Sequence, residues 1–364
     1  MNTRVVRWGA FLFGIFHIYT NVFASLSELW FSAIHFGGFG ALCALSFHNP
    51  AAYTPGRTRQ NSLRILLAVL SVAAAAYLIL FENALYARET EFIPSDYVFS
   101  ALAVLLAIEF TRRTSGWFMP LLIVLSLCYM LFLGRYVSGV FAFPGLSIET
   151  VLYRSYFSST GMFGFVANIS ATYVFMFILF GSFLLKSGAG EYIIRLSQAV
   201  AGRFTGGAGI VAVISSGLMG SVTGSAVANT VSTGVITIPM MNRSGFRPQF
   251  SAAVESAAST GGQLMPPVMG AGAFVMASYT QIPYTQIIAV SVLPALLYFL
   301  SVAFFVRGEA KRTGLAAAND DKPRRLSAAV GQGWHFIAPL LVLIGFLIAG
   351  ATPVRSVTFA ILAV

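Results

Sequence analysis

The most informative segment of the chain reads Gly217-Leu-Met-Gly-Ser-Val-Thr-Gly-Ser-Ala-Val-Ala-Asn-Thr230, a run of small and neutral polar residues. It lies inside residues 204–242, which carry no charge and are flanked by Arg203 and Arg243. Basic residues at both ends favour the cytoplasmic side for both, so the segment must enter the membrane and return. Its first arm, about nine residues ending at Gly217, would be a helix of about 14 Å, roughly half of a 30 Å hydrocarbon layer. This pattern predicts a re-entrant helical hairpin with a small, polar tip.

The tip of this hairpin has the composition of a ligand site. Irregular backbone at membrane depth persists only where protein covers it or where it lines an aqueous cavity. Glycines allow backbone amides and carbonyls to approach a ligand, and the serine, threonine and asparagine side chains add neutral donors and acceptors. Gly220 and Gly224 also have the GxxxG spacing, so the alternative is a face that only packs against another helix.

A second irregular segment, residues 250–281, begins as a helix and then meets Ser259-Thr-Gly-Gly-Gln-Leu-Met-Pro-Pro267. Prolines lack an amide donor and disfavour the helical conformation in the preceding residue, so this helix should break. Two half-helices are therefore predicted to meet near the membrane midplane, where their free N–H and C=O groups suit anions and cations. The alternative is a proline kink that only shapes the packing.

Glu255 lies in the first half of this predicted broken helix. An acidic side chain inside a membrane is costly and is a functional candidate by default. Because Glu255 follows Arg247 by only eight residues, it could instead lie near the cytoplasmic interface. The sequence leaves both positions open.

The composition excludes a water-soluble enzyme. Of 364 residues, 57% are hydrophobic and 9% are charged, with a mean hydropathy of +0.80, whereas soluble domains carry about 25% charged residues. Cys43 and Cys128 lie in apolar runs, and the four histidines are scattered singly. These residues support neither a disulfide framework nor a metal centre.

Apolar runs predict a multi-pass membrane protein. The predicted spans are residues 8–24, 29–47, 63–81, 97–110, 117–133, 163–185, 287–306 and 336–351. With the N-terminus in the cytoplasm, all of the 22 Lys and Arg residues except Arg88, Arg135, Arg154 and Arg355 fall on the cytoplasmic side. This asymmetry predicts the orientation, and basic residues at helix ends argue against a nucleic-acid partner.

The two irregular segments, in this order, resemble the large membrane subunit of the tripartite ATP-independent periplasmic (TRAP) transporters. The resemblance is closest to the fused permeases that work with TAXI-type binding proteins, and it covers residues 163–312. The matching motifs are Gly220-Ser-Val-Thr-Gly-Ser-Ala-Val-Ala-Asn-Thr230, Pro239-Met-Met-Asn-Arg-Ser-Gly-Phe-Arg-Pro248 and Ala258-Ser-Thr-Gly-Gly-Gln-Leu-Met-Pro-Pro-Val-Met-Gly270. The first five helices resemble the small-subunit portion of such fusions only in arrangement.

This resemblance implies an all-α, elevator-type secondary transporter of the bacterial inner membrane, and not an enzyme. It implies symport of a carboxylate-type solute, delivered by a TAXI-type periplasmic binding protein, with a coupling ion and no other cofactor. Na⁺ is favoured, at Gly220, Ser225 and Asn229, while H⁺ carried by Glu255 is the alternative. The implied solute and ion residues are Ser221, Thr223, Gly224, Ser225, Asn229, Gly261, Gly262, Gln263, Pro266 and Pro267.

The family pattern continues with a second hairpin and a second broken helix, which this sequence does not reach, so the chain is expected to be the N-terminal part of such a permease. The expected divisions are residues 1–134 (small-subunit-like helices and scaffold), 135–162 (extracytoplasmic loop), 163–325 (first transport repeat) and 326–364 (truncated following helices). Alternative functions are a non-transporting scaffold or assembly subunit, and a haem-binding bundle that uses His17 and His35.

Overall fold

The structure is a computed structural model that describes residues 3–46, 57–202, 204–315, 331 and 333–364. Within these residues the regular secondary structure is helical throughout, which confirms the all-α, polytopic prediction. Arg203, which flanks the predicted hairpin, lies outside the described part, as do one of the four histidines, His48, and three of the 22 basic residues, Lys322, Arg324 and Arg325. The chain forms two compact units, Met1–Ala171 and Thr172–Val364.

The first unit contains eight helices among its described residues. They are α1 (Thr3–Val22), α2 (Glu28–Ser46), α3 (Arg57–Leu80), α4 (Glu82–Arg88), α5 (Pro94–Ser115), α6 (Phe118–Leu131), α7 (Ile148–Tyr156) and α8 (Phe165–Ile169). Two 3₁₀ turns, Leu133–Tyr136 and Gly139–Phe141, follow α6. A π-helical turn, Ser170–Val174, follows α8.

The second unit contains nine helices among its described residues. They are α9 (Phe175–Lys186), α10 (Ala189–Ala201), α11 (Gly207–Thr223), α12 (Ala226–Arg243), α13 (Pro248–Gly261), α14 (Ala271–Thr280), α15 (Tyr284–Arg312), α16 (Trp334–Ile348) and α17 (Pro353–Leu362). A 3₁₀ turn, Gly262–Leu264, follows α13 directly.

Five helical segments of the described chain are long and apolar enough to cross a membrane. They are Glu28–Ser46, Asn61–Leu80, Pro94–Ser115, Phe165–Lys186 and Tyr284–Arg312, and each contains or overlaps a predicted span. The shortest predicted span, 97–110, belongs to a helix of 22 residues, because helical structure continues on both sides into polar residues. The remaining three predicted spans coincide with α1, α6 and α16, which are not among the five.

Small residues bring the helices of the first unit together. Ala33, Ala74, Ala75 and Ala103 are buried in one cluster, and short side chains let helix backbones approach closely. A polar clamp lies near the start of α5, where the buried Asp96 carboxylate accepts bonds from Tyr77 Oη at 2.7 Å and Arg88 Nη2 at 3.0 Å. This pairing satisfies a buried charge that would otherwise be costly.

Helix α11 is the central helix of the second unit. It packs against α10, α12, α13 and α15, and most of its residues are buried. Val213 of α11 joins Met241, Val254 and Val306 in a single apolar cluster. Because α11 carries mainly glycine, alanine, serine and valine, four helices can surround it, and this arrangement positions the candidate site.

Candidate functional site

Helices α11 and α12 form a helical hairpin whose turn is Gly224–Ser225. Gly224 ends α11 with a left-handed backbone (φ +62°) and donates its N–H to Gly220 O at 2.9 Å. Ser225 begins α12, since its Oγ accepts from Ala228 N at 3.3 Å. Glycine at a C-terminal cap and serine at an N-terminal cap are the residues these positions favour.

The first arm of this hairpin is longer than the sequence analysis predicted. Helix α11 has 17 residues, a length of about 25 Å, so the expected arm of about nine residues is wrong. Gly217 and Gly220 lie within this helix, and neighbouring atoms occupy the space that a side chain at either position would need. A Cβ on Gly217 would meet the ring of Phe299 at 3.1 Å, and one on Gly220 would overlap the Cα of Gly262.

The predicted break in the second segment is present. Helix α13 ends at Gly261, a 3₁₀ turn follows, and the chain is non-helical or turn-like until α14 begins at Ala271. Three bonds hold this unwound stretch: Val268 N donates to Ser221 O at 3.1 Å, Gly270 N donates to Gln263 O at 2.8 Å, and Tyr284 Oη donates to Val268 O at 2.6 Å. Hydrogen bonds therefore fix the unwound stretch to both the hairpin and α15.

Glycines make the contact between the hairpin and the break. A Cβ on Gly262 would meet Gly220 Cα at 2.7 Å, and a Cβ on Gly224 would overlap the carbonyl oxygen of Met269. Gly261 lies against the ring of Tyr298 in the same way. In this conformation Gly220, Gly224 and Gly262 allow close packing of backbone, and Gly261 allows close packing against an aromatic ring.

Two side-chain oxygens in the hairpin have no hydrogen-bond partner in the described part of the chain. They are Asn229 Oδ1 and Thr223 Oγ1, and both are buried. The other end of the Asn229 amide donates from Nδ2 to Ser216 O at 2.7 Å, which fixes the direction of Oδ1. Buried polar atoms are nearly always paired, so these two oxygens are the groups most available to a bound ion.

The side chains of the other predicted site residues do not converge on a common point. Ser221 Oγ donates to Leu218 O at 2.7 Å within its own helix, and Ser225 Oγ is used by the cap. Gln263 is exposed, Pro266 is half-buried, and Pro267 is buried after a cis peptide bond. The structure thus brings Gly220, Gly262 and Asn229 together, but it does not bring the Gln263 side chain into the buried contact.

Glu255 is fully buried among the helices of the second unit. Its Oε1 accepts from Ser216 Oγ at 2.7 Å, from Ser259 Oγ at 3.1 Å and from Thr233 Oγ1, while Oε2 accepts from Thr237 Oγ1 at 2.5 Å. Sequence reasoning missed these four hydroxyl residues. The available signal was the i, i+4 spacing of Thr233 with Thr237 and of Glu255 with Ser259, which places each pair on one helix face.

Ser216 links Glu255 to Asn229. Its hydroxyl donates to the Glu255 carboxyl, and its backbone carbonyl accepts from Asn229 Nδ2. Two hydrogen bonds, both made by Ser216, therefore connect the Glu255 carboxyl group to the Asn229 amide.

His17 and His35 are hydrogen-bonded to each other. His17 Nε2 lies 3.0 Å from His35 Nδ1, the second nitrogen of His17 contacts Phe13 O, and the second nitrogen of His35 contacts Ser170 Oγ. Every ring nitrogen is thus engaged, and the direct contact leaves no space for a macrocycle between the rings. This geometry does not support the haem alternative, and no group of three His, Cys, Asp or Glu side chains in the described part of the chain could hold a metal ion.

Comparison with known proteins identifies one family. The sequence model described as "Tripartite ATP-independent periplasmic transporter, DctM component" matches residues 102–364. The C4-dicarboxylate TRAP transporter large permease DctM of Rhodobacter capsulatus is 26% identical over 251 residues, which cover 65% of this chain and 54% of the relative. The 2,3-diketo-L-gulonate large permease YiaN of Escherichia coli is 23% identical over 188 residues, or 50% of this chain and 42% of the relative.

A third relative is the isethionate TRAP transporter permease DctMQ of Oleidesulfovibrio alaskensis, which is 25% identical over 187 residues. This match covers 50% of the chain and 29% of the relative. The chain spans about half the length of the curated relatives that it matches, 54% and 53% for two C4-dicarboxylate permeases.

Proposed function

The chain belongs to the DctM component family of tripartite ATP-independent periplasmic transporters, and we propose that it carries a carboxylate-type solute across the bacterial inner membrane together with a coupling ion. The family is one of transporter permeases, so the prediction that the chain is not an enzyme is confirmed.

An anionic solute is supported by the relatives and by the site. The names of the three relatives specify a C4-dicarboxylate, a diketo-gulonate and isethionate, all of which are anions. The second unit has a short, unwound connection before α14, and the N-terminal end of a helix suits a carboxylate. A periplasmic binding protein of the TAXI type would deliver the solute, as the sequence motifs of the hairpin and the broken helix suggest.

Na⁺ is the coupling ion that the hairpin suits best. The observation that carries this proposal is the pair of unpartnered buried oxygens, Asn229 Oδ1 and Thr223 Oγ1. Both are neutral oxygen atoms next to the turn of the hairpin, and oxygen ligands of this kind suit a hard cation. The movement would be of the elevator type, with the hairpin and the broken helix carried together, because Ser221 and Val268 already tie one to the other.

Thr223→Val tests the ion site with little structural side effect. The substitution keeps the branched shape and removes an oxygen that makes no bond in the described structure. Without Na⁺ the variant should be as stable as the wild type or more stable by about 1 kcal/mol, because an unsatisfied buried polar group is removed. With Na⁺ at about 100 times its dissociation constant the wild type should gain about 2.7 kcal/mol, and the variant should gain much less at the same concentration.

The matched control is Thr230→Val, which removes a hydroxyl that bonds only Ala226 O within α12. This variant should keep the full Na⁺ response in thermal unfolding of the purified protein. Equal Na⁺ responses in all three proteins would remove Thr223 from the ion site. A wild type that shows neither Na⁺-dependent stabilisation nor Na⁺-dependent uptake in proteoliposomes would overturn Na⁺ coupling.

A further inference from the structure

The carboxyl group of Glu255 is enclosed by hydroxyl groups from three helices. Ser216 belongs to α11, Thr233 and Thr237 belong to α12, and Ser259 lies one turn along α13 from Glu255 itself. The residue has no exposed surface. The acid thus joins both arms of the hairpin to the first half of the broken helix, and every contact made by its oxygens comes from a neutral group.

No opposite charge faces this carboxyl from the described elements packed against it. Helix α11 has no ionisable residue, and the only charged residue of α12 is Arg243, the last residue of that helix. In α15, Tyr298 donates its hydroxyl to Ala257 O, and the charged residues begin at Arg307, near the end of the helix. The 3₁₀ turn Gly262–Leu264 carries no charge. The ionised carboxyl would therefore be stabilised by hydroxyl dipoles alone.

The four hydroxyl groups of Ser216, Thr233, Thr237 and Ser259, here called the hydroxyl cage, give each oxygen of the ionised acid at least one hydrogen-bond donor. A carboxylate offers about four lone-pair sites, and four hydroxyl groups surround it. Ser216, Ser259 and Thr233 can donate to Oε1 while Thr237 donates to Oε2. All four donors are then satisfied, and the carboxylate has a partner for each oxygen.

The cage is also complete when the acid carries a proton. Thr237 Oγ1 lies 3.0 Å from Thr233 O, so Thr237 can turn its hydroxyl proton to that backbone carbonyl, while Thr233 keeps its bond to Oε1. Oε2–H then donates to Thr237 Oγ1, while Ser216 and Ser259 still donate to Oε1. Only hydroxyl rotation separates the two arrangements, so gain or loss of a proton leaves no buried group unpaired.

We propose that Glu255 is a proton-binding site inside the hairpin, and that its proton competes with the cation held at Asn229. This inference rests on the proposed cation site. The ionised Glu255 is connected to Asn229 by two hydrogen bonds through Ser216. Its negative charge would attract a cation next to Asn229 Oδ1, whereas the neutral acid would not. Binding of the cation would therefore release the Glu255 proton to solvent, and by reciprocity a bound proton would weaken cation binding.

The first measurement tests the proton site without any Na⁺. Infrared difference spectra of the purified protein in nanodiscs, taken during a pH titration in K⁺ buffer, should contain the carbonyl stretch of a buried carboxylic acid other than Asp96, which is paired with Arg88. Glu255→Gln should remove that band and still fold, since the Gln carbonyl accepts from Ser216 and Ser259 and its amide donates to Thr237. Glu191→Gln, which alters an exposed ion pair with Arg195, should leave the band unchanged. A wild-type spectrum without the band, or a band that persists in Glu255→Gln, would overturn the proposal.

The second measurement tests the competition. The Na⁺ concentration that gives half-maximal thermal stabilisation should rise as pH falls through the titration of the infrared band, by up to tenfold per pH unit if one proton leaves for each ion bound. In Glu255→Gln this concentration should be independent of pH. A pH dependence that survives in the Gln variant, or Na⁺ binding that is independent of pH in the wild type, would overturn the competition while leaving Na⁺ coupling intact. A titrating band with no Na⁺ effect at any pH would instead reject the cation site and, with it, the competition.

Discussion

Replacing Gly220 with alanine tests whether the contact between the hairpin and the broken helix is as close as the structure indicates. The added Cβ would overlap the Cα of Gly262 and would lie 3.2 Å from Asn229 Nδ2. The first of these atoms is backbone, so no side-chain rotation can relieve the overlap, and α11 and the 3₁₀ turn must move apart. Overpacking of this kind costs about 1–3 kcal/mol.

Helix propensity acts in the opposite direction, since alanine is favoured over glycine inside a helix by about 1 kcal/mol. Gly308→Ala provides the matched control, because Gly308 lies inside α15 and a Cβ there would meet nothing within 4 Å. Both variants gain the same helix propensity from the change of glycine to alanine. The difference between their unfolding free energies therefore measures the cost of overpacking at Gly220. For a unit of the size of Thr172–Val364, this difference corresponds to a separation in Tm of roughly 2–12 °C.

Thermal unfolding of the purified proteins, followed by intrinsic fluorescence, measures this separation. Gly220→Ala should unfold at the lower temperature, and it should also need more Na⁺ for half-maximal stabilisation because the Asn229 amide is displaced. Equal Tm values for Gly220→Ala and Gly308→Ala would show that the two segments are not in backbone contact, and the reasoning about the site would fail.

Two further predictions concern the turn and the topology. Gly224→Leu should reduce uptake to background at normal membrane insertion, because the residue has a left-handed backbone and its Cβ would overlap Met269 O, whereas Gly272→Leu, at an open position, should retain most uptake; comparable uptake by both variants would contradict this. Cysteines placed at Phe204 and Arg243 in a background without native cysteines should react with an impermeant reagent only from the cytoplasm, and one at Glu91 only from outside. Reaction of the first two from opposite faces would exclude a re-entrant hairpin.

The sequence alone was sufficient for the class of fold and for the positions of the two irregularities. Low charge and long apolar runs require a helical membrane protein, because backbone groups in lipid must bond within their own segment. The break at Gly261–Pro267 and a small-residue turn near Gly224 follow from local chemistry, since proline lacks a donor and glycine tolerates positive φ. These properties act within a few residues, so the sequence records them directly.

The tertiary structure decided what the small residues do. Gly217 and Gly220 have the composition of a loop, yet they lie within α11, where Phe299 and Gly262 occupy the space that side chains would need. A glycine permits both a turn and a close helix crossing, and only the atom that lies opposite selects between the two.

The surroundings of Glu255 were likewise decided only by packing. Its hydroxyl partners on α11 and α12 lie 18 to 39 residues away in sequence, and Ser259 has the only local spacing. Hydrogen bonding depends on distances of about 3 Å, which a pattern along one chain does not encode. The sequence therefore placed an acid in the segment of the broken helix and left its position open, and the crossing of three helices determined that hydroxyl groups, rather than lipid headgroups or a basic side chain, would surround it.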